Sequence, residues 1–212
     1  MIEQFVKDVH QGLSGDQKTL PSKYFYDERG DHLFKKIMDL PEYYLTRAEL
    51  EIFQHQTERI IKYLDLNQNT YFELVELGAG DGRKTKILLE YLTKTNTDFK
   101  YQPIDISQNV LNQLEDSITN ELPDVHIEPL QGTYFEILNS INIENGTKKV
   151  ILFLGSNIGN LLHSQAIAFL KHVGDFMHDD DLFFVGFDQK KNPQTVLDAY
   201  NDSTGIKGAS AC

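Results

Sequence analysis

The segment ELGAGDGRK, residues 76–84, has three glycines at alternate positions behind an acidic residue. Glycines at this spacing let the backbone approach a ligand closely, because they carry no Cβ atom. The segment follows an apolar run and precedes an amphipathic helical pattern. At this position in an α/β sheet, backbone N–H groups and a helix N-terminus face the crevice in which nucleotides bind. The glycine loop formed by Gly78, Gly80 and Gly82 therefore predicts a nucleotide-type cofactor site.

Two common nucleotide-binding motifs do not fit the glycine loop. A dinucleotide fingerprint has the pattern G-x-G-x-x-G, whereas this loop has the pattern G-x-G-x-G, with Arg83 at the position of the third glycine. No Gly-Lys-Ser/Thr triplet follows, so the phosphate cradle of a P-loop is absent. The sequence therefore disfavours NAD and excludes ATP bound by a P-loop.

Charged residues follow the glycine loop and the next predicted strand. Arg83, Lys84 and Lys86 are predicted in the first turn of a helix, where the helix dipole disfavours cations, so we expect an anion nearby. A carboxylate on the cofactor would serve, and exposed solubilising cations are the alternative. Asp105 ends the next predicted strand, where a carboxylate can accept protons from both ribose hydroxyls. The alternative for Asp105 is a cap on the helix that begins near Ser107.

The elements that position these residues alternate regularly. Short apolar runs predict strands over residues 71–77, 101–106, 125–130, 149–155 and 181–187. Helical patterns fill the intervals, and this rhythm is typical of parallel β/α units in a doubly wound sheet. Ser107 and Asn192 are predicted N-caps, the latter with Pro193 at the first helical position.

The chain before the first strand is helical in pattern. Thr46 and Glu49 predict a capping box at the start of a helix over residues 46–64. The apolar stripe of this helix consists of Leu50, Phe53, Ile60 and Ile61. Aromatic residues are dense between positions 24 and 44, and they predict a wall over the cofactor crevice.

Composition narrows the classes of function. The 212 residues are 40% hydrophobic, enough for one sizeable core. The formal charge of -12 repels phosphate backbones, so we expect no nucleic-acid partner. The longest apolar runs are far below the roughly 20 residues that cross a bilayer, so no membrane partner is expected. The N-terminus lacks a secretory signal pattern, which predicts a cytoplasmic protein.

No metal site is predicted. The single cysteine, Cys212, permits neither an internal disulfide nor a thiolate cage. The seven histidines lack the spacing of a zinc site, so solvated or packed histidine is the better interpretation.

The pattern acidic-x-Gly-x-Gly-x-Gly resembles motif I of class I S-adenosylmethionine-dependent methyltransferases, with Glu76 in the acidic place. Further segments narrow this resemblance. They are YDERGDHLFKKIMDLPEYYLTRAE, YQPIDIS, LFLGSNIGNL and DAYNDSTGI. With them, the chain from about residue 20 to about residue 206 resembles the histidine-specific methyltransferases of ergothioneine biosynthesis, which trimethylate the histidine α-amine.

The resemblance implies two sets of site residues. Those at the cofactor S-adenosylmethionine are Tyr26, Glu76, Gly78, Gly80, Gly82, Lys84, Asp105, Thr133 and Tyr134. Thr133 stands where the family commonly carries an acidic residue beside adenine. Those at the amino-acid substrate are Phe34, Tyr43, Gly155, Asn160 and Tyr200. Tyr43 or Tyr200 is the candidate to orient the attacking amine or accept its proton.

The resemblance also implies a fold and a function. The fold is a Rossmann-like, mostly parallel sheet, with residues 1–65 as a helical segment forming part of the substrate site and residues 66–212 as the cofactor domain. The family continues beyond this chain with two more strands, so the last strands of the sheet are expected to be missing and the open edge to allow self-association. The expected reaction is methylation of the α-amine of histidine or a related amino acid. The alternatives are a cofactor-binding module without catalysis and a methyltransferase for another small amine.

Overall fold

The structure is a computed structural model that describes residues 2–21, 24, 28–140 and 147–201. Its helices are α1 (Ile2–Ser14), α2 (Glu28–Met38), α3 (Tyr44–Tyr63), α4 (Arg83–Lys94), α5 (Gln108–Glu121), α6 (Tyr134–Ser140), α7 (His163–Phe176) and α8 (Pro193–Tyr200). Its strands are β1 (Phe72–Leu77), β2 (Phe99–Asp105), β3 (His126–Ile127), β4 (Leu130–Gln131), β5 (Lys148–Phe153) and β6 (Leu182–Val185). A short 3-10 helix, Asn157–Asn160, lies between β5 and α7.

The strands of the described residues form one parallel sheet in the order β3-β2-β1-β5-β6, and β4 also pairs with β2. The chain adds strands outward from β1 through β2 and then returns to the other side of β1 with β5. This reversal creates a crevice at the carboxyl ends of β1 and β5, where open α/β sheets bind ligands. The predicted doubly wound, Rossmann-like fold is confirmed.

The strand predicted over residues 125–130 is wrong in one respect, because it is divided into β3 and β4. Pro129 lies between them and has no N–H group to donate to β2. The backbone N–H of Glu128 still donates to the Tyr101 carbonyl at 2.8 Å, so the chain stays beside β2 across the break.

Helices cover both faces of the sheet and produce two apolar clusters. In one, Phe53 of α3 and Leu88 of α4 pack with Leu74 of β1. In the other, Phe169 of α7 packs with Phe153 of β5. Every residue of β1 is buried, as expected for a central parallel strand. Helix α3 is thus packed in the same core as the sheet. The division into two domains at residue 65 stays a prediction.

The predicted capping box at Thr46 is wrong. The helix α3 begins at Tyr44, with Tyr43 as its N-cap residue and no side-chain cap bond. The backbone N–H of Tyr43 donates to the Leu40 carbonyl, and this turn starts the helix before Thr46 is reached. The side chain of Glu49 is therefore available for contacts outside α3. By contrast, the predicted N-caps are confirmed, and they are Ser107 of α5 and Asn192 of α8.

Within the described part of the chain, no helix is both long and apolar enough to span a bilayer.

Candidate active site

A cavity of about 260 Å³ opens at the carboxyl ends of the strands. It lies between α2, the glycine loop, the end of β2, the start of α6 and the 3-10 helix. The predicted site residues that line it are Phe34, Gly78, Gly80, Asp105, Thr133, Tyr134 and Asn160. A wider cleft of about 680 Å³ involves Thr70 and Lys148 at the opposite edge of the sheet, away from these residues.

The glycine loop follows β1 with a left-handed backbone at each of its glycines. Gly78 has φ of +75° and is closely packed, since a Cβ atom there would lie 2.7 Å from the Tyr134 hydroxyl. Gly80 has φ of +56°, and a Cβ atom there would meet no protein atom within 4 Å. Gly80 is therefore the position of the loop where a ligand can approach the backbone, because it lines the cavity and faces open space.

Glu76 lies beneath the glycine loop rather than in the cavity wall. Its carboxyl group is buried and accepts hydrogen bonds from Thr85 Oγ1 at 2.6 Å and the Tyr101 hydroxyl at 2.5 Å. Burial raises the pKa of Glu76 to about 7, although both hydrogen bonds oppose this rise. The contacts join β1 to α4 and β2, and so fix the loop from below.

Asp105 ends β2 and faces the cavity. Its carboxylate accepts from the Gly80 N–H at 3.2 Å and from the Ser107 N–H at 3.0 Å. Burial raises the pKa of Asp105, and the N–H groups of Ser107 and Gly80 lower it in part. Asp105 therefore holds the glycine loop against the start of α5, and its predicted contact with ribose stays a prediction.

The cations at the start of α4 all have carboxylate partners within the chain. Arg83 pairs with Asp39 and Asp81, and Lys86 with Glu121. These ion pairs account for the positions of Arg83 and Lys86 at a helix start, so no bound anion is needed to explain these two residues. The third, Lys84, is described separately because its partner belongs to the site.

Lys84 and Gly155 meet at the carboxylate of Glu49. The Lys84 Nζ lies 2.6 Å from Glu49 Oε2, and the Gly155 N–H donates to Oε1 and Oε2 at 2.9 and 2.8 Å. Sequence reasoning missed Glu49 as a site residue because its spacing from Thr46 assigned it to a helix cap. Its spacing from Phe53, four positions along the inward face of α3, was the available signal.

Thr133 is committed to the start of α6. Its N–H and Oγ1 both donate to Glu136 Oε2, at 3.1 and 2.6 Å, and Thr133 Oγ1 accepts from the Glu136 N–H at 3.4 Å. This is a capping box that the sequence analysis did not recognise. It brings the Glu136 carboxylate beside position 133, where the family resemblance implies an acidic residue. Tyr134 packs edge-on against Phe153, with ring centroids 5.5 Å apart.

The predicted substrate residues are only partly brought together. Phe34 of α2 and Asn160 of the 3-10 helix line the cavity. Tyr43 precedes α3 and is not part of the cavity wall formed by the described residues. Tyr200 ends α8, and its side chain is not described. Tyr26 lies outside the described residues.

No group of three or more His, Cys, Asp or Glu side chains among residues 2–21, 24, 28–140 and 147–201 is arranged to hold a metal ion.

The parallel sheet and the glycine loop at its switch point define an α/β cofactor-binding protein of the class I methyltransferase type. The chain belongs to the family of histidine-specific, S-adenosylmethionine-dependent methyltransferases, whose sequence profile matches residues 5–209. This match confirms the resemblance and the cofactor expected from it.

Several relatives support the family assignment. The histidine N-alpha-methyltransferase of Mycolicibacterium smegmatis is 33% identical over 207 residues, which are 98% of this chain and 62% of the relative. The enzyme of the same name from Mycobacterium tuberculosis is 34% identical over 94% of this chain and 60% of the relative. Ergothioneine biosynthesis protein 1 of Neurospora crassa is 34% identical over 89% of this chain and 21% of its own length. The chain thus spans about 60% of the two mycobacterial relatives.

Proposed function

We propose that the chain belongs to an enzyme that transfers methyl groups from S-adenosylmethionine to the α-amine of histidine or a related amino acid. One observation carries this proposal. A single cavity joins the glycine loop and Asp105, which suit a nucleoside, to Phe34 and Asn160 from two other elements. The relatives named histidine N-alpha-methyltransferase support histidine as the substrate.

The residues present fit the cofactor. The open space at Gly80 and the half-buried carboxylate of Asp105 suit an adenosine ribose, whose hydroxyls would donate to that carboxylate. The Tyr134 ring can lie beside adenine, and Lys84 can take the methionyl carboxylate. When bound, S-adenosylmethionine supplies an electrophilic methyl group on its sulfonium.

The chain's own contribution is to hold a neutral amine in line with that methyl group. A free α-amine has a pKa of roughly 8 or above, so most of it is protonated at neutral pH. Desolvation beside Phe34 favours the uncharged form. The Asn160 amide can accept from the amine and donate to the substrate carboxylate, which fixes the direction of attack. Tyr43 or Tyr200 accepting the departing proton is part of the same proposal.

A second candidate function is cofactor binding without catalysis. The observation behind it is the length comparison, because about 40% of the length of each mycobacterial relative lies outside its match to this chain. Substrate contacts in that remainder would be absent from a reaction carried out by these residues alone. Methylation of a different small amine is the third alternative.

Calorimetric titration distinguishes these candidates. The 212-residue chain is titrated with S-adenosylhomocysteine and with histidine, alone and together. In a separate assay that contains S-adenosylmethionine as the methyl donor, methylation of histidine is followed by mass spectrometry. Binding of both ligands with methylated histidine as product supports the first proposal. Cofactor binding without turnover supports the second, and turnover of another amine in preference to histidine supports the third. Absence of cofactor binding contradicts all three.

The remaining expectations are unchanged by these findings. A cytoplasmic location, the absence of nucleic-acid partners and self-association through the sheet edge stay predictions.

A further inference from the structure

At the carboxyl ends of the strands, the carboxylate of Glu49 is surrounded by residues of three other parts of the chain. The backbone N–H of Gly155, just beyond β5, donates to both of its oxygens. Lys84 of α4 contributes an ammonium group at 2.6 Å. At Gly186, just beyond β6, a Cβ atom would lie 2.2 Å from Glu49 Oε1, so only glycine leaves room for this carboxylate. Contacts within the chain therefore position the Glu49 carboxylate.

The Glu49–Lys84 pair retains hydrogen-bonding capacity. A carboxylate offers about four acceptor positions, and Glu49 uses three of them for Gly155 and Lys84. An ammonium group has three donors, and among the described residues Lys84 donates only to Glu49. Both side chains keep some access to solvent, with exposed fractions of 17% for Glu49 and 20% for Lys84. The pair thus presents an acceptor of negative charge beside donors of positive charge, which is complementary to an α-amino acid zwitterion.

The pair adjoins the cavity. The Cβ position of Gly155 is 3.6 Å from Lys84 Nζ and 3.6 Å from the side-chain oxygen and nitrogen of Asn157. Asn157 lines the cavity, and its Nδ2 is 3.1 Å from the Cβ position of Gly78. A ligand that extends from the ribose position near Asp105 across the glycine loop therefore reaches the Glu49–Lys84 pair past Asn157.

We propose that Glu49 binds the α-ammonium group of the methionyl part of the cofactor, beside the α-carboxylate that the proposed function already gives to Lys84. This proposal rests on the proposed function, because it takes S-adenosylmethionine as the ligand. The substrate amine is the less suitable occupant. It must lose its proton to attack the methyl group, and a carboxylate beside it would raise its pKa. The cofactor's ammonium group stays charged throughout the reaction, so a carboxylate partner stabilises it at no cost to catalysis.

The test compares ligands that differ by one group. The chain is titrated with S-adenosylhomocysteine, with its desamino analogue, in which hydrogen replaces the α-amine, and with 5′-methylthioadenosine, which lacks the amino-acid part. The wild-type chain is expected to bind S-adenosylhomocysteine about tenfold or more tightly than the desamino analogue, since hydrogen bonds between charged groups contribute this much. This first comparison requires no variant.

The variant Glu49→Gln removes the negative charge and keeps the shape. Its affinity for S-adenosylhomocysteine should fall about tenfold or more, whereas its affinities for the desamino analogue and for 5′-methylthioadenosine should match those of wild type. Wild type should bind S-adenosylhomocysteine more tightly than its decarboxylated analogue, and Lys84→Met should lose this preference. The matched control is Glu51→Gln, two residues away on the exposed side of α3, which should leave all affinities unchanged.

The outcomes separate this proposal from the proposed function. An equal loss of S-adenosylhomocysteine and 5′-methylthioadenosine in Glu49→Gln assigns a purely structural role and overturns the proposal. Tighter binding of S-adenosylhomocysteine also overturns it, because Glu49 would then compete with the ligand carboxylate for Lys84. Wild-type binding of neither nucleoside overturns both proposals. Selective loss in Glu49→Gln with no methyl transfer by wild type supports the Glu49 assignment and contradicts the proposed catalysis.

Discussion

At the scale of single residues, Glu76 makes the stability of the protein depend on pH. Burial raises its pKa from 4.5 to about 7 in the folded chain. Between these two values the folded state holds a proton that the unfolded state has released. The free energy of unfolding therefore falls as pH rises from 4.5 to about 7, and the contribution of Glu76 is constant outside this window.

Replacing Glu76 by Gln should remove this dependence. The free energy of unfolding of Glu76→Gln minus that of wild type should increase by up to about 3 kcal/mol as the pH rises from about 4 to about 8. Urea unfolding at both pH values measures the change. Glu90→Gln on the exposed side of α4 is the matched control. A wild-type-to-variant difference that is the same at both pH values would contradict the assignment.

Asp105 makes a second residue-scale prediction. Its carboxylate orders the glycine loop through Gly80 and is expected to accept the ribose hydroxyls. Asp105→Asn keeps the side-chain shape but replaces one carboxylate oxygen by a donor, so affinity for S-adenosylhomocysteine should fall by about ten- to a hundredfold in calorimetry. Asp98→Asn, at the exposed residue directly before β2, should bind as wild type does. Unchanged binding by Asp105→Asn would contradict the assignment of Asp105 to the ribose hydroxyls.

Asp105 could be predicted as a site residue from the sequence and Glu49 could not, because one position is set locally and the other by a long-range contact. Asp105 is set by its place at the end of a strand, and strand ends can be located from local apolar runs. Glu49 is set by a contact with Gly155, which lies more than a hundred positions further along the chain. A local pattern could place Glu49 on a helix, but it could not tell which distant backbone group that helix would reach.

At the scale of elements, local rules succeeded where nothing competed with them. Ser107 accepts from the Val110 N–H at 3.2 Å, as its position before an amphipathic pattern predicted. Thr46 satisfied the capping-box rule equally well, yet a turn at Leu40 started α3 earlier. The box at Thr133 and Glu136 was missed because α6 has only seven residues and too short an apolar pattern to be recognised.

The Thr133 box gives an element-scale prediction. Thr133→Ala should lower the free energy of unfolding by about 1 kcal/mol, because the Glu136 N–H at the start of α6 loses its acceptor and the Glu136 carboxylate loses one donor. Thr133→Ser keeps the hydroxyl and should retain most of that stability. Urea midpoints of the two variants, measured without cofactor, give the difference. Equal destabilisation by Ala and Ser would show that the methyl group of Thr133, rather than the cap, matters.

At the scale of the whole molecule, the order of the strands was predictable only through the family resemblance. Apolar runs and helical intervals indicate parallel β/α units, but they do not say on which side of β1 the strand β5 is added. That choice decides whether Gly155 and Asn160 reach the glycine loop. In the structure β5 pairs directly with β1, and Asn160 then lines the same crevice as Gly80 and Asp105.

The edge strand β6 leads to a prediction about self-association. Among the described residues, β6 pairs only with β5, and Phe187 just beyond it is 64% exposed. Two copies that add strands at this edge would bring together chains with a formal charge of -12 each, so association should strengthen as salt screens the repulsion. Sedimentation velocity at rising salt measures this.

A pair of variants locates the contact. Phe187→Lys should weaken the dimer, because a lysine at a strand edge disfavours pairing with another edge. Tyr63→Lys changes the charge equally at the end of α3, where the side chain is 73% exposed, and should leave the dimer intact. Equal weakening by both variants would mean that the contact depends on net charge and not on β6. A monomer at every salt concentration would exclude self-association through this edge, so the substrate site would then have to work within one chain.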